Sequence, residues 1–273
     1  MKHISYSQHS SYSKCPRSWY LSKVIKAPER PAWYTIIGSS VHAMIEDWVN
    51  PDISFNGRDS ISADSYFHPL VLSAMEREPD VDQWMHSLDG DGVPLVKERA
   101  LEFVKVAFER ALDFLEDIDV WEVEYDASGY LPGCKPEIKA FVDIIGEHKK
   151  RGPVILDWKT GKHKDPFQLE TYTALLRSKV SNPYFEPDFK GYFAMLAPWA
   201  PQSRYKDLSD VDPAAVGAKY QETWSAMQAR FYKTTHTEAI CGFCFQRDNC
   251  LLRSENKERA EYYDRSADDG FPF

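Results

Sequence analysis

An acid and a lysine stand two residues apart at the end of an apolar run, Val154 to Leu156. Side chains in a strand alternate between faces, so Asp157 and Lys159 should project together while Trp158 points the other way. A carboxylate can bind a divalent cation, and an ammonium can hold a water or stabilise charge on a phosphate. The spacing therefore indicates metal-assisted hydrolysis of a phosphodiester.

A second acid, Asp143, lies in the preceding strand pattern. The polar stretch 147–152 is typical of a turn, and a hairpin centred near residue 150 puts Asp143 opposite Asp157. Opposed side chains have Cβ atoms about 4.5–5.5 Å apart, so two carboxylates there repel unless a cation neutralises them. Oxygen ligands favour Mg²⁺ or Mn²⁺. Two alternatives stay open: a register slip by one residue, and a surface hairpin whose acid and lysine simply pair.

Four cysteines have the number and placement of a metal or cluster site. They are Cys15, Cys241, Cys244 and Cys250. Four thiolates suffice for a zinc ion or an iron-sulfur cluster, and their number does not separate the two. Five cysteines in all are too few and too irregularly spaced for a disulfide framework. Cys134 lies outside the set and is expected to be a small buried or loop residue.

The elements that must position these groups follow from hydrophobic periodicity. Helical spacing predicts helices over 35–49, 66–88, 94–117, 166–178 and 213–231. Alternation and β-branched runs predict strands over 120–125, 137–147, 153–160 and 191–196. Pro16 could open a further short helix, with Cys15 at its start. This order predicts a mixed α/β (α+β) fold with helices packed on a sheet.

Charge is unevenly distributed along the chain. The formal net charge is -9, yet residues 1–30 carry six Lys or Arg against one acid, and residues 149–164 also carry six against one. Residues 42–126 hold 21 acids and six bases. Binding responds to the local field, so charge alone leaves nucleic-acid binding open.

Aromatic and basic residues alternate near the amino end, a composition that suits stacking on bases and equally suits core packing. They are Tyr6, Tyr12, Trp19 and Tyr20, with Lys14, Arg17 and Lys23. No secretory signal and no apolar run of about 18 residues is found, so we expect a cytoplasmic protein without membrane contact.

Asp143 followed after thirteen residues by Asp157-Trp158-Lys159-Thr160-Gly161 resembles the core signature of PD-(D/E)XK nucleases, in particular their RecB-like branch. Gly38 with His42 resembles the helix that contributes a metal-binding histidine. Gln168 with Tyr172 resembles the helix motif that follows the active strand. The resemblance runs from Ser5 to Cys250.

The resemblance implies a restriction-endonuclease-like core, with a central mixed sheet flanked by helices. We expect a single nuclease domain over 1–273, with a mainly helical part (1–118), the nuclease core (119–200) and a carboxy-terminal helix with the cysteines (201–273). The implied metal ligands are His42, Asp143 and Asp157. The implied catalytic and positioning residues are Asp143, Asp157, Lys159, Gln168 and Tyr172. Glu124 is a weaker candidate on the neighbouring strand, because Glu122 shares its face.

The four cysteines resemble those of an iron-sulfur subset, similar to CRISPR-associated spacer-acquisition nucleases and AddB-type nuclease domains. In that subset one amino-terminal and three carboxy-terminal cysteines bind a 4Fe-4S cluster. Such a cluster would join the two ends of the chain as a structural clasp. Zinc is the rival occupant.

The resemblance implies a DNA exonuclease that uses Mg²⁺ or Mn²⁺ and acts on single-stranded DNA or on free, frayed ends, in recombination, repair or processing. No Gly-x-x-x-x-Gly-Lys-Ser/Thr loop is found, so a motor would come from a helicase or recombination partner. The alternative is a non-catalytic DNA-binding or adaptor protein that keeps the fold and the cluster.

Overall fold

A computed structural model describes residues 2–50, 58, 60–85, 93, 95–161, 165–179, 190–198, 204–235, 237–254 and 257–265. Its helices are α1 (Tyr6–Lys14), α2 (Pro16–Lys23), α3 (Trp33–Val49), α4 (Ala63–Arg77), α5 (Lys97–Leu115), α6 (Pro166–Ser178), α7 (Pro213–Gln228), α8 (Glu238–Gly242) and α9 (Lys257–Arg265). Its strands are β1 (His3–Ser5), β2 (Ile118–Asp126), β3 (Glu137–Lys139), β4 (Phe141–His148), β5 (Gly152–Lys159), β6 (Lys190–Met195) and β7 (Arg204–Asp207). Short 3-10 turns cover Val81–Gln83 and Arg247–Asn249.

The chain divides into two compact units. The first comprises Met1–Arg30, Tyr130–Lys139 and Ala214–Phe273, and the second comprises Pro31–Gly129 and Ala140–Pro213. The single nuclease domain expected over 1–273 stays a prediction.

A five-stranded mixed sheet forms the centre of the second unit, in the order β2-β4-β5-β6-β7. The middle strand, β5, runs antiparallel to β4 and parallel to β6. Val154, Ile155 and Leu156 in β5 are all buried, because this strand is covered on both faces. That burial explains a continuous apolar run where a half-exposed strand would alternate.

Helices cover both faces of this sheet. The face that carries Leu156 and Trp158 packs against α3, α4 and α5 in one hydrophobic core. The opposite face meets α6, since a Cβ on Gly191 would come 2.9 Å from Leu169 Cδ1. Helix α6 starts at Pro166, and the preceding Asp165 carboxylate accepts the Phe167 N–H at 3.0 Å. The predicted mixed α/β fold, with a central mixed sheet flanked by helices, is confirmed.

No helix among the described residues is long and apolar enough to cross a membrane.

Two predicted elements are wrong in their bounds. The strand expected over 137–147 is two strands, β3 and β4, separated at Ala140, whose backbone N–H donates to the Ser128 hydroxyl at 3.1 Å. The helix expected over 66–88 ends at Arg77. Glu78 precedes a proline, which disfavours helical backbone at Glu78, and its φ of -145° is extended. Strands β1 and β7 were not predicted, since three and four residues carry too little periodicity.

The amino-terminal aromatic residues belong to the interior of the first unit. Tyr12, Trp19 and Tyr20 are buried, and the Tyr20 ring stacks on Tyr232 with centroids 4.1 Å apart. Buried rings cannot stack on bases, so core packing is the correct interpretation for these three. Tyr6 is half-buried.

Gly146 in β4 lies where β2 approaches most closely. A Cβ at this position would stand 2.5 Å from the Asp119 carbonyl oxygen. Backbone cannot move aside as a flexible side chain would, so we expect Gly146→Ala to lower the free energy of unfolding by about 1–3 kcal/mol. Gly161→Ala is the matched control, since a Cβ there meets no described atom within 4 Å. Urea unfolding compares the two variants, and equal loss of stability in both would contradict the close approach.

Candidate metal and catalytic site

Asp143 and Asp157 come together at one end of β4 and β5. The ladder pairs Ile144 with Leu156, which is the register predicted from the turn, so Asp143 lies at the level of Asp157. The Asp143 Oδ2 accepts a hydrogen bond from the Trp158 backbone N–H at 2.8 Å. A side-chain carboxylate therefore takes up a backbone donor where the β4–β5 ladder ends.

Both carboxylates are withdrawn from solvent, with Asp143 8% and Asp157 1% exposed. Burial raises the pKa of Asp143 well above its usual range, and the nearby charge of Asp157 raises it further. The Trp158 N–H and the Lys159 ammonium act in the opposite direction. Two buried like charges fit a bound cation, which would neutralise them.

The Asp157 carboxylate is held by side chains from β5 and α6. Its Oδ2 forms an ion pair with Lys159 Nζ. Its Oδ1 accepts hydrogen bonds from Gln168 Nε2 at 2.6 Å and from the Tyr172 hydroxyl at 3.4 Å. The Gln168 amide also accepts from Lys159 Nζ at 2.9 Å and donates to the Tyr172 hydroxyl at 2.8 Å. One amide thus fixes the lysine, the acid and the phenol relative to one another.

Gln168 and Tyr172 reach the same site because residues four apart lie on one helix face. Burial raises the pKa of the Tyr172 hydroxyl well above its usual range, and the Asp157 and Asp143 charges add to this. The phenol therefore keeps its proton and acts as a donor.

A close group of candidate metal ligands lies beside these carboxylates. Ligand atoms of His42, Glu124 and Asp143 are all within 4.8 Å of one another, and the described residues hold no second such group of His, Cys, Asp and Glu. One imidazole nitrogen and carboxylate oxygens are donors that suit Mg²⁺ or Mn²⁺. Asp157 lies outside this group, because its oxygens face Lys159 and α6.

The His42 ring is oriented for binding. Its Nε2 lies 3.2 Å from the Trp158 carbonyl oxygen, which can only accept, so Nε2 carries the proton and Nδ1 keeps a lone pair. Nδ1 lies 3.8 Å from Asp143 Oδ2. Burial lowers the pKa of His42, although the Asp157 charge opposes this, and the neutral ring is the form that binds a cation.

Gly38 explains how α3 brings His42 to this position. A Cβ on Gly38 would stand 3.3 Å from Thr160 Oγ1, immediately after β5. A side chain at Gly38 would require the Thr160 hydroxyl to give way by a few tenths of an ångström. Gly38 and His42 lie one turn apart on the same face, so the close approach carries the imidazole to the carboxylates.

Glu124 is more central than its sequence indicates. The β2–β4 register shifts between Val120 and Glu122, and beyond this bulge Val123 pairs with Ile144, which places Glu124 at the level of Asp143. Its backbone φ is 46°, in the left-handed region. Burial raises the pKa of Glu124, and the charges of Glu46 and Asp157 contribute. Hydrophobic alternation does not reveal a bulge, so no sequence signal separates Glu124 from Glu122.

The cysteines lie in the first unit. Cys15 ends α1 and immediately precedes α2, as expected, and its side chain is buried. Burial raises the pKa of Cys244, and the charges of Cys15 and Cys250 add to this. The Ser18 hydroxyl lies 3.3 Å from Cys244 Sγ. Among the described residues, however, no three cysteine sulfurs lie within 4.8 Å of one another.

Cys134 is buried, as the sequence predicted for it. Its thiol contacts the Pro136 carbonyl oxygen at 3.7 Å, and burial raises its pKa to about 11.

Polar side chains bond the cysteine loop to the amino-terminal segment. Gln246 donates to the Ala27 carbonyl oxygen at 3.1 Å, and Asn249 donates to the Pro28 carbonyl oxygen at 2.8 Å. Arg30 makes a two-pronged ion pair with Asp248. These bonds join the amino-terminal and carboxy-terminal segments of the first unit.

A family model described as the PD-(D/E)XK nuclease superfamily matches residues 3–251. Comparison with curated proteins finds no match. Among solved structures, the chain is similar to that of "Crystal structure of SSO0001", with 11% identity, 90% of this chain and 95% of that chain covered, and a TM-score of 0.35. The matched family suggests a metal-dependent nuclease, in agreement with the acids, histidine and lysine described above. Because the match covers most of its length, the chain belongs to the PD-(D/E)XK nuclease superfamily.

Proposed function

We propose that the chain is a divalent-metal-dependent DNA exonuclease of the RecB-like branch, acting on single-stranded or frayed DNA ends. The observation that carries the proposal is the close group of His42, Glu124 and Asp143 beside the bonded pair of Asp157 and Lys159. Metal-assisted hydrolysis of a phosphodiester uses ligands for a divalent metal ion, and a lysine ammonium beside them can stabilise charge on the phosphate.

In this proposal His42, Glu124 and Asp143 hold Mg²⁺ or Mn²⁺, and Asp157 is the fourth protein ligand. When bound, the cation lowers the pKa of a water and polarises the scissile phosphate. Asp157 already carries the Lys159 ion pair on Oδ2 and accepts from Gln168 on Oδ1. To join the metal ligands, Asp157 would have to share one of these oxygens with the cation.

Lys159 is the catalytic cation of the proposal. Its ammonium is shared between Asp157 Oδ2 and Gln168 Oε1, which fixes the direction of its remaining N–H group. That group can orient the attacking water or stabilise charge on the phosphate. Gln168 and Tyr172 are positioning residues that act through Asp157 and Lys159.

The first prediction concerns the chemistry. Asp157→Asn and Lys159→Ala should each lower the rate of DNA hydrolysis by at least about 100-fold, because each removes charge that acts on the transition state. The measurement is digestion of labelled single-stranded and double-stranded DNA with Mg²⁺, Mn²⁺ or EDTA. Glu147→Gln is the matched control, since Glu147 is an exposed acid at the other end of β4 and should leave the rate unchanged.

Parental rates in both variants would place the chemistry elsewhere. If the parent binds DNA but digests none of the substrates with either metal, the alternative of a non-catalytic DNA-binding or adaptor protein replaces the proposal.

A further prediction concerns Glu124. Glu124→Gln should weaken Mn²⁺ binding about 10- to 100-fold, because an amide lacks the negative charge that attracts the ion. Calorimetric titration of Mn²⁺ into the full chain measures this, with Glu147→Gln again as the control. Unchanged affinity in Glu124→Gln would remove Glu124 from the ligand set.

We also propose that Cys15, Cys241, Cys244 and Cys250 hold a structural 4Fe-4S cluster, as in the iron-sulfur subset. Support comes from the polar bonds that fix the cysteine loop against the amino-terminal segment. The Ser18 hydroxyl also lies 3.3 Å from Cys244 Sγ and could donate to a metal-bound thiolate there.

Protein purified without oxygen should be brown, with broad visible absorbance and bound iron. Cys244→Ala should lose both properties, while Cys134→Ala, which removes a cysteine outside the set, should keep them. Colourless parental protein loaded with zinc would contradict the iron-sulfur assignment, and colour that depends on Cys134 would contradict the ligand set.

A further inference from the structure

A cleft of about 390 Å³ opens in the second unit, beside the carboxyl end of α5 and the turn between β4 and β5. Leu156 lines it, and side chains alternate between the faces of a strand, so the cleft lies on the face opposite to Asp157. None of its lining residues belongs to the candidate active site. A ligand in this cleft would therefore bind independently of the proposed nuclease chemistry.

Three cationic or hydrogen-bonding side chains line this cleft: Arg110 from α5, His148 from β4 and Arg151 from the turn. In the described parts of the chain, neither arginine forms an ion pair with a carboxylate, although Asp113 and Asp117 line the same cleft. The His148 Nδ1 accepts the Lys150 backbone N–H at 3.2 Å, so its Nε2 is left as a donor. The lining therefore carries two arginines and two aspartates, and the arginines keep N–H groups that no described carboxylate within 4.0 Å takes up.

Aromatic rings fix the position of Arg151. Its guanidinium lies 5.3 Å from the Tyr192 ring centroid and 5.4 Å from that of Tyr205. A guanidinium held over aromatic faces is restricted in rotation. Arg151 also acts on the Tyr192 hydroxyl, and its other edge N–H groups are left for a ligand. Planar guanidinium groups bind phosphate through two parallel hydrogen bonds. One phosphate group between Arg151, Arg110 and His148 would satisfy all three.

The other residues that line the cleft indicate which chemical groups the ligand carries besides its phosphate. Phe114, Leu156 and Tyr192 offer apolar surface suited to a planar base. Asp113 and Asp117 can accept hydrogen bonds from sugar hydroxyls, as acids do in nucleotide sites, and they repel a continuing chain of phosphates. The volume lies near the small end of the range for ligand pockets, about 300–1,000 Å³, which suits one nucleotide.

We propose that this cleft binds a free nucleoside monophosphate, with its phosphate on Arg110, Arg151 and His148 and its sugar facing Asp113 and Asp117.

The test is calorimetric titration of the full chain with AMP in the presence of EDTA. AMP should bind saturably, and adenosine or inorganic phosphate should each bind at least about tenfold more weakly, because each lacks half of the contacts. Arg151→Gln should weaken AMP binding about tenfold or more. Lys150→Gln is the matched control, since it removes the neighbouring positive charge but does not line the cleft.

Arg110→Gln is a second variant, with thermal unfolding as its check, because Arg110 also donates to the Ala197 carbonyl oxygen. Arg151 is exposed on a turn, so its substitution keeps the test valid if the Arg110 variant unfolds. Asp157→Asn should leave AMP affinity unchanged.

Three results would overturn the proposal. The first is no saturable AMP binding by the parent. The second is AMP affinity that depends on Asp157 or is as high in Arg151→Gln as in the parent. The third is an Arg151-dependent preference for a 5′-phosphorylated oligonucleotide over AMP, which would make a strand end the occupant.

Discussion

Asp143 and Asp157 lie buried at the same end of two paired strands, where burial and the Asp157 charge both disfavour ionisation of Asp143. Buried charges are tolerated only where donors or cations compensate them. The surrounding groups do this from several elements: the Trp158 N–H bonds Asp143, while Lys159 and Gln168 bond Asp157. Strands β4 and β5 bring the carboxylates together, and β5 itself and helix α6 supply the groups that compensate their charge.

Two local features of the helices position the side chains that contact Asp143 and Asp157. Gly38 lets α3 lie against the end of β5, so that His42 can face Asp143. Pro166 and the capping Asp165 start α6 where Gln168 falls within reach of Asp157. Neither Gly38 nor the residues that start α6 belong to the candidate catalytic residues. Both nevertheless determine the distances between groups that do.

Much of this arrangement could be predicted from the sequence, because it depends on local periodicity. The turn after β4 determined the register of Asp143 and Asp157, and the unbroken apolar run identified β5 as central. The place of Glu124 could not be predicted, since a one-residue bulge and a left-handed φ leave no mark on hydrophobic alternation. The strand break at Ala140 was hidden for the same reason: it depends on a hydrogen bond to Ser128, which sequence spacing does not show.

Trp158 gives this site an unusual dependence on its own hydrophobic core. Its backbone N–H bonds Asp143 and its carbonyl accepts from His42, while its side chain is buried against α5, edge-on to Phe114 at 6.5 Å. One residue therefore anchors two candidate ligands on its main chain and core packing on its side chain. A substitution that alters the packing beneath the indole would therefore also move the main-chain groups that hold His42 and Asp143, although it lies outside the site itself.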